Sequence, residues 1–423
     1  MGDGGVSRVD LNSPPNTAID LGTGRTAVAV SNGYQHTCAI LDNGDLKCWG
    51  RDYHGQLGDG GSNTYITAPS TTAIDLGTGR TAVAVSSGYE HTCAILDNGD
   101  LKCWGSDGSG RLGDGGIPDT NTNAPSTTAI DLGTGRTAVA VSAGGEHTCA
   151  ILDNGDLKCW GRDYYGQLGD GGSNTNTNAP STTAIDLGTG RTAVAVDAGY
   201  YHTCAILDNG DLKCWGSDGY GQLGDGGPDW SNSNPTDTNA PSTTAIDLGT
   251  GRTAVAVSTG GYHTCAILDN GESKCWGNNG DKQLGVGAST PHLNTPPTSA
   301  IDLGTGRTAV AISAEAYNTC AILDNGEARC WGWNDYGQLG NGNNNAHDLP
   351  VSVFGNAWDS STGLSSGSGG GSSGGMTNVT GATSCVATPS LPSGLNIDSN
   401  TCTISGTPSV ATSNTTYTVT AVI

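Results

Sequence analysis

The chain has 423 residues, 69 of them glycine, and 40 acidic against 17 basic side chains leave a formal charge of −23. With no Lys or Arg cluster, that balance excludes a surface that neutralises phosphates, and with it nucleic acid as a partner. Only 35% of residues are apolar and Phe354 is the single Phe, which suits many small packing units better than one large core. No run approaches the roughly 18 apolar residues that would span a bilayer, so no direct membrane insertion is expected.

The opening letters MGDGGVSRVD carry neither the basic flank nor the apolar stretch of an export signal. Gly2 to Gly5 read GDGG, the letters that recur at Gly58, Gly113, Gly169 and Gly224, so the chain is expected to open in mid-repeat. AIDLGTGR then begins at Ala18, Ala73, Ala129, Ala184, Ala245 and Ala300, at spacings of 55, 56, 55, 61 and 55 residues. Each unit runs TAIDLG, GTG, RTAVAVS, a Gly-bearing loop, HTCAIL, DNG, DLKCWG and a polar loop ending in GQLGDGG. The alternation within each short stretch has strand period, which predicts four strands per unit. Small Ala opposes larger Val, Ile or Leu, so both faces of each sheet need covering. Radial stacking does that while exposing only short edges. The fold class expected is therefore all-β: a β-propeller of six complete four-stranded units across residues 1–355, closing as six blades or standing as an incomplete seven-bladed ring.

At the far end of the array LPVSVFG, Leu349 to Gly355, takes the place of a seventh TAIDLG strand. Residues 356–375 form a Gly/Ser tether. Residues 376–423 form a small β-sandwich-like module that ends on a strand, as expected of a piece of a longer multidomain chain.

All 14 Cys fall in pairs. Cys38/Cys48, Cys93/Cys103, Cys149/Cys159, Cys204/Cys214, Cys265/Cys275 and Cys320/Cys330 flank the hairpin turns, and Cys385/Cys402 lie in the C-terminal module. A three-residue Asp42-Asn43-Gly44 loop with left-handed Gly44 sets Leu41 against Asp45, Ile40 against Leu46, Ala39 against Lys47 and Cys38 against Cys48. The facing thiols form a non-hydrogen-bonded pair with Cα atoms about 4.5 Å apart, within disulfide reach. Zinc competes, because His36/Cys38, His91/Cys93, His147/Cys149, His202/Cys204 and His263/Cys265 recur two apart. Asn318 breaks that set, and three ligands per unit fall short of four. The even count favours disulfides and an oxidising, extracellular or cell-surface location, with the export signal expected upstream.

The tryptophan after each second Cys, Trp49 in the first unit, reads as blade-to-blade packing, and the repeated His as a structural group. Asp20 and Arg25 can pair across the GTG turn. No metal site is assigned, although the acidic turns and GDGG loops leave calcium as an alternative cofactor. No serine elbow, isolated carboxylate pair or unique reactive Cys marks catalysis. Two loops vary while the framework letters hold. They carry Tyr34, Tyr53, His54, Tyr164, Tyr165, Tyr200, Tyr201, Tyr220, Tyr262 and Tyr336, which suits a binding surface on a rigid ring, against the alternative of neutral drift in solvated loops.

The run His36 to Gly60, HTCAILDNGDLKCWGRDYHGQLGDG, resembles the regulator of chromosome condensation repeat family. The resemblance implies a β-propeller, usually of seven blades. The family founder binds nucleosomes and exchanges nucleotide on a small GTPase, but the basic arm behind its chromatin contact is absent here. The cysteine-paired version is similar to prokaryotic secreted or surface proteins. Ser390 to Pro408 resembles immunoglobulin-like modules of such proteins, in which Cys385 and Cys402 would bridge two strands. Asn378 and Asn414 match the glycosylation acceptor pattern. The function expected is a binding, adhesion or structural module for a protein or glycan. An enzyme with a hidden loop or channel site and an exchange or chromatin factor are the alternatives.

Overall fold

The computed structural model describes residues 13–14, 18–61, 65–117, 119–227, 237–287 and 291–353, and the backbone of four short strands within 384–422. The Cys385–Cys402 bridge, Asn378, Asn414 and the 356–375 tether lie outside the described residues.

Each repeat folds as an antiparallel meander. In blade 1, β1 (Ala27–Asn32), β2 (His36–Leu41), β3 (Leu46–Arg51) and the short β4 (Tyr65–Ile66) are hydrogen-bonded in that order. Five more sheets repeat it around central strands His91–Leu96, His147–Leu152, His202–Leu207, His263–Leu268 and Asn318–Leu323, taken below as blades 2 to 6. The hairpin register is the expected one: Ile40 pairs with Leu46, Ala39 with Lys47 and Cys38 with Cys48. The later hairpins repeat it, setting Cys149 against Cys159, Cys204 against Cys214 and Cys265 against Cys275. Gly44 makes it work at φ +82°, donating to the Leu41 carbonyl while the Leu41 N–H donates to that of Asp45.

The fourth strand is the weak one. It is formed in blades 1, 5 and 6, whereas blades 2, 3 and 4 keep only the single bridges Gly105–Thr122, Gly161–Thr177 and Gly216–Thr238. The letters there, such as Thr120-Asn121-Thr122-Asn123-Ala124-Pro125, favour turns, and proline lacks the N–H that a ladder needs.

Three expectations are corrected. TAIDLG forms no strand: Ile74 donates one bond to the Leu46 carbonyl, at 2.9 Å, and Asp75 Oδ1 then accepts from Gly77 N–H, at 2.8 Å, turning the chain away. It thereby closes the preceding blade. LPVSVFG does the same, because His347–Ser352 is the fourth strand of blade 6 and Val353 N–H donates to Ala328. The first strand of each blade is also not covered on both faces. A β-bulge between Ala27 and Ala29 leaves Val28 52% exposed, and its counterparts are exposed too.

The cores lie between blades. Cys38, Ile40 and Leu46 from blade 1 pack with Ala82, Leu96 and Trp104 from blade 2 in one buried cluster. Equivalent clusters join each following pair up to blades 5 and 6. In the second compact unit, Ser384–Thr388 pairs with Thr418–Val422 and Leu395–Ile397 with Ile404–Gly406.

Candidate binding face at the channel mouth

A repeated polar clasp holds neighbouring blades together and so positions the loops above them. His36 Nε2 lies 2.9 Å from Thr92 Oγ1, and Thr92 Oγ1 donates to the Gln56 carbonyl, at 2.8 Å. With its hydrogen committed there, Thr92 accepts from the imidazole, which is therefore the Nε2–H tautomer. Trp104 Nε1 donates to the same carbonyl, at 3.2 Å. The clasp recurs through His91, His147, His202 and His263. Burial pushes His36 down to about 4 and His147, His202 and His263 down to about 3, so these imidazoles stay neutral.

The hairpin cysteines, over which zinc competed, are joined as disulfides. The bridges are Cys38–Cys48, Cys93–Cys103, Cys149–Cys159, Cys204–Cys214, Cys265–Cys275 and Cys320–Cys330. Their Cα separations of 4.0–4.1 Å correct the expected spacing downward, because the bond draws together two strands already at their narrow pair. Cys159, Cys214 and Cys275 are buried in the blades like Cys48, Cys103 and Cys330, and among the described residues no cysteine lines the channel described below. The bridges thus hold the blades and take no part in the binding face. Among the described residues no group of three or more His, Cys, Asp or Glu gathers to hold a metal.

The clasp leads into a narrow central channel, to which all six blades contribute. Backbone bonds step around its mouth: Tyr34 N–H to Gly88, Tyr89 to Gly144, Gly145 to Gly199, Tyr200 to Gly260 and Gly261 to Glu315. One level down, Ser31 Oγ accepts from Ser87 N–H at 2.9 Å, and Ser86, Ser142 and Ser258 repeat the contact. Blade 4 puts Asp197 in that position. Its Oδ2 accepts from Thr259 N–H at 2.6 Å and Oγ1 at 2.8 Å, and burial pushes the carboxyl up to about 7.

Tyrosines crowd the rim. Tyr34 stacks on Tyr89, with centroids 4.2 Å apart, and Tyr89 meets Tyr200 edge-on at 5.4 Å. This contact joins blades 2 and 4 across blade 3, whose loop has Gly145 where those two carry a tyrosine. From Tyr200 the contacts continue to Tyr201 at 6.2 Å, on to Tyr262 at 5.4 Å and Tyr220 at 5.2 Å, and from Tyr201 to Tyr165 at 5.3 Å and Tyr164 at 4.9 Å. Two smaller groups flank it, Tyr53 with Tyr65 and Tyr317 with Trp333 and Tyr336.

The outer rings remain open to solvent, with Tyr164 66% and Tyr336 57% exposed. Burial first, and neighbouring phenols and carboxylates next, push Tyr89, Tyr200 and Tyr262 up, so their hydroxyls stay protonated. Two rim carboxylates are paired: Glu90 takes Arg51 at 3.0 Å and His54 at 3.2 Å, and Glu146 takes Arg162. Arg51 and Arg162 also lie over Tyr53 and Tyr164, 5.1 and 5.6 Å from the ring centroids. The face is thus aromatic and hydroxyl-rich, with Glu90 and Glu146 paired to arginine.

All ten loop residues singled out in the sequence stand at this face or its margin. Tyr89, Tyr65, Tyr317 and Trp333 were missed, although Tyr89 occupies the same loop column as Tyr34. Arg25 pairs with Asp42 across the hairpin at 3.3 Å, whereas Asp20 Oδ1 accepts from Gly22 N–H, which corrects the expected Asp20–Arg25 pair. The acidic turns expected as calcium candidates are tied internally, with Asn43 Nδ2 donating to Asp45 and Asp59 Oδ1 accepting from Gly61 N–H.

The RCC1-like domain family model matches residues 2–373, and the He_PIG Ig-domain model matches residues 358–422. The ultraviolet-B receptor UVR8 of Arabidopsis thaliana is 32% identical over 331 residues, which are 78% of this chain and 70% of the receptor. The human E3 ubiquitin-protein ligase HERC2 is 29% identical over 323 residues, 76% of this chain but only 6% of the ligase. Human WBSCR16 shares the fold at a TM-score of 0.67 and 23% identity, covering 79% of this chain and 83% of its own. The extent of the family match and the identity to UVR8 together show that this chain belongs to the RCC1-like domain family.

Proposed function

We propose that this propeller is a binding module working outside the cytosol, which holds a protein or glycan against the tyrosine face at its channel mouth. The observation that carries the reading is the unbroken run of ring contacts from Tyr34 to Tyr164, gathered from several blades onto one rim. Tyrosine supplies large contact area at small entropy cost, and its protonated hydroxyls can donate to a neutral partner. Support for the compartment comes from the six disulfides in the blades, since the cytosol keeps thiols reduced. Action by binding fits a site whose repeated polar groups are engaged in holding blades together.

The test is a panel of glycans and secreted proteins screened against the native chain and a Tyr34→Ser/Tyr164→Ser/Tyr336→Ser chain. The reading expects ligands that bind the native chain and are lost by the variant at unchanged melting temperature. Ligands held equally by both chains would place the function elsewhere.

A further inference from the structure

After the third strand of every blade, an Asp or Asn side chain accepts through Oδ1 from the N–H of the leucine five residues on. Its charge changes together with that of a second position. Blades 1 to 4 pair Asp52 with Asp59, Asp107 with Asp114, Asp163 with Asp170 and Asp218 with Asp225. Blades 5 and 6 keep a carboxylate at neither position: Asn279 goes with Val286, and Asn334 with Asn341.

Blade 6 shows what the second side-chain atom faces. With Asn334 Oδ1 held by Leu339 N–H at 2.9 Å, Nδ2 is turned toward three oxygens. It donates to Asn341 Oδ1 at 3.2 Å and to the carbonyls of Asn343 and Asn345 at 2.8 and 3.0 Å. Three acceptors around one point require positive charge there, which the amide hydrogens supply.

Blade 3 puts an oxygen at that point. Asp163 Oδ1 accepts from Leu168 N–H, also at 2.9 Å, so Oδ2 stands where Asn334 has Nδ2. Asp163 is fully buried, and its Oδ2 has no hydrogen-bond partner. Asp52 in blade 1 repeats both features. The counterparts of the three blade 6 acceptors, seven, nine and eleven residues on, are Asp170, Gly172 and Asn174. Asp170 Oδ1 accepts from Gly172 N–H at 2.7 Å, and after burial its charge also opposes ionisation of Asp163. The Gly172 carbonyl accepts from Asn239 Nδ2 at 2.8 Å and keeps a second lone pair. Oxygen facing oxygen in this way is repulsive until positive charge stands between them.

We infer that Asp163 and Asp170, with the carbonyls of Gly172 and Asn174, form a calcium site, and that the Asn334 amide takes the place of the cation in blade 6. Two carboxylates with backbone carbonyls are the hard oxygen donors calcium prefers, in an irregular shell that water completes, whereas magnesium demands a near-ideal octahedron. The ion fastens the two ends of a loop that carries Tyr164 and Tyr165, so it also sets that part of the rim. The site stands whether or not the rim holds a ligand.

Equilibrium dialysis of the full, chelator-stripped chain against calcium tests this, beside two variants of equal net charge. Asp163→Asn/Asp170→Asn copies the blade 6 pair, and Asp156→Asn/Asp211→Asn removes two hairpin-turn carboxylates. The native chain is expected to take up calcium with a Kd of about 10⁻⁴–10⁻³ M, and the blade 3 variant to take up one equivalent less. Calcium should raise the melting temperature of the native chain more than that of the blade 3 variant, whose calcium-free value should match or exceed the native one. The hairpin variant should behave as the native chain does. The inference is overturned by no uptake at about 10 mM calcium, which would mean that Asp163 keeps a proton instead. Undiminished uptake by the blade 3 variant, an equal loss in the hairpin variant or equal uptake of magnesium would overturn it too.

Discussion

The interblade seams and the channel mouth are built by opposite rules. In a seam, His, Thr, Gln and Trp return in the same roles, and nearly every one is buried. At the mouth, adjacent blades place Tyr34, Tyr89, Gly145, Tyr200, Gly261 and Ala316 at one loop position, and many of the rings are exposed. Repeating a seam residue is enforced by packing, since each blade must fit both neighbours. A rim residue touches a neighbour through ring contacts, a partly exposed ion pair or backbone, so it can change without unseating the blade. The lesson is that stability and recognition are carried by different residues, and each can be perturbed alone.

Acid should have the largest effect, and it acts on the seams. A depressed histidine pKa adds stability only while the imidazole is neutral: the unfolded chain takes up protons below about pH 6.5, and the folded chain does not. Each buried histidine therefore gives up about 1.4 kcal/mol per pH unit below that point, down to its folded pKa near 3 to 4. Denaturant midpoints should fall steeply between pH 6.5 and 4, and by about two-fifths less in a chain with His147 and His202, two of the five buried histidines, replaced by Asn, the residue blade 6 carries at position 318.

Trp160→Ala should come next, costing about 3–5 kcal/mol by emptying the contact between blades 2 and 3, as read by urea unfolding. Asp197→Ser tests the odd member of the channel's hydroxyl ring. A carboxyl raised to about 7 stabilises fully below the unfolded value near 4 and loses that contribution as pH rises toward 7. Unfolding at pH 5 and pH 8 should show the difference between variant and native chain moving by about 3 kcal/mol in the variant's favour as pH rises.

Removing one bridge with Cys38→Ala/Cys48→Ala should cost about 2–3 kcal/mol, checked by thermal unfolding, since the loop it closes is short. Tyr164→Ser should have the smallest effect, within about 0.5 kcal/mol in the same assay, because its ring is largely solvated. A large loss there would mean that the mouth also holds the fold together, and the contrast would fail.

Much of the framework was legible because it is local. The turn Asp42-Asn43-Gly44 fixes the hairpin register by itself, so Cys38 faces Cys48 before any tertiary contact is considered. The same turn chemistry, Asp-Asn-Gly, places Cys159, Cys214 and Cys275 opposite their partners in blades 3, 4 and 5. The TAIDLG alternation misled because period identifies which residues are buried together without saying that they lie in a ladder. Asp75 takes the Gly77 N–H and turns the chain instead. Val28 misled in the same way, since a one-residue bulge reverses the direction of a side chain that the pattern assigns to the interior. At the mouth, Tyr89 could have been found by reading the loops column by column, and so could Asp197, which stands alone in a column of serines. The pairing of Arg25 with Asp42 could not, because it spans a strand and a hairpin turn whose approach only the folded blade decides.

The central claim is that each hairpin closes on itself through its own cysteine pair. Alkylation of the unreduced native protein followed by peptide mass spectrometry tests it directly. The account predicts unmodified, cross-linked peptides joining Cys38 to Cys48, Cys93 to Cys103, Cys149 to Cys159, Cys204 to Cys214, Cys265 to Cys275 and Cys320 to Cys330. Alkylated thiols at those positions, or links that cross between blades, would contradict it.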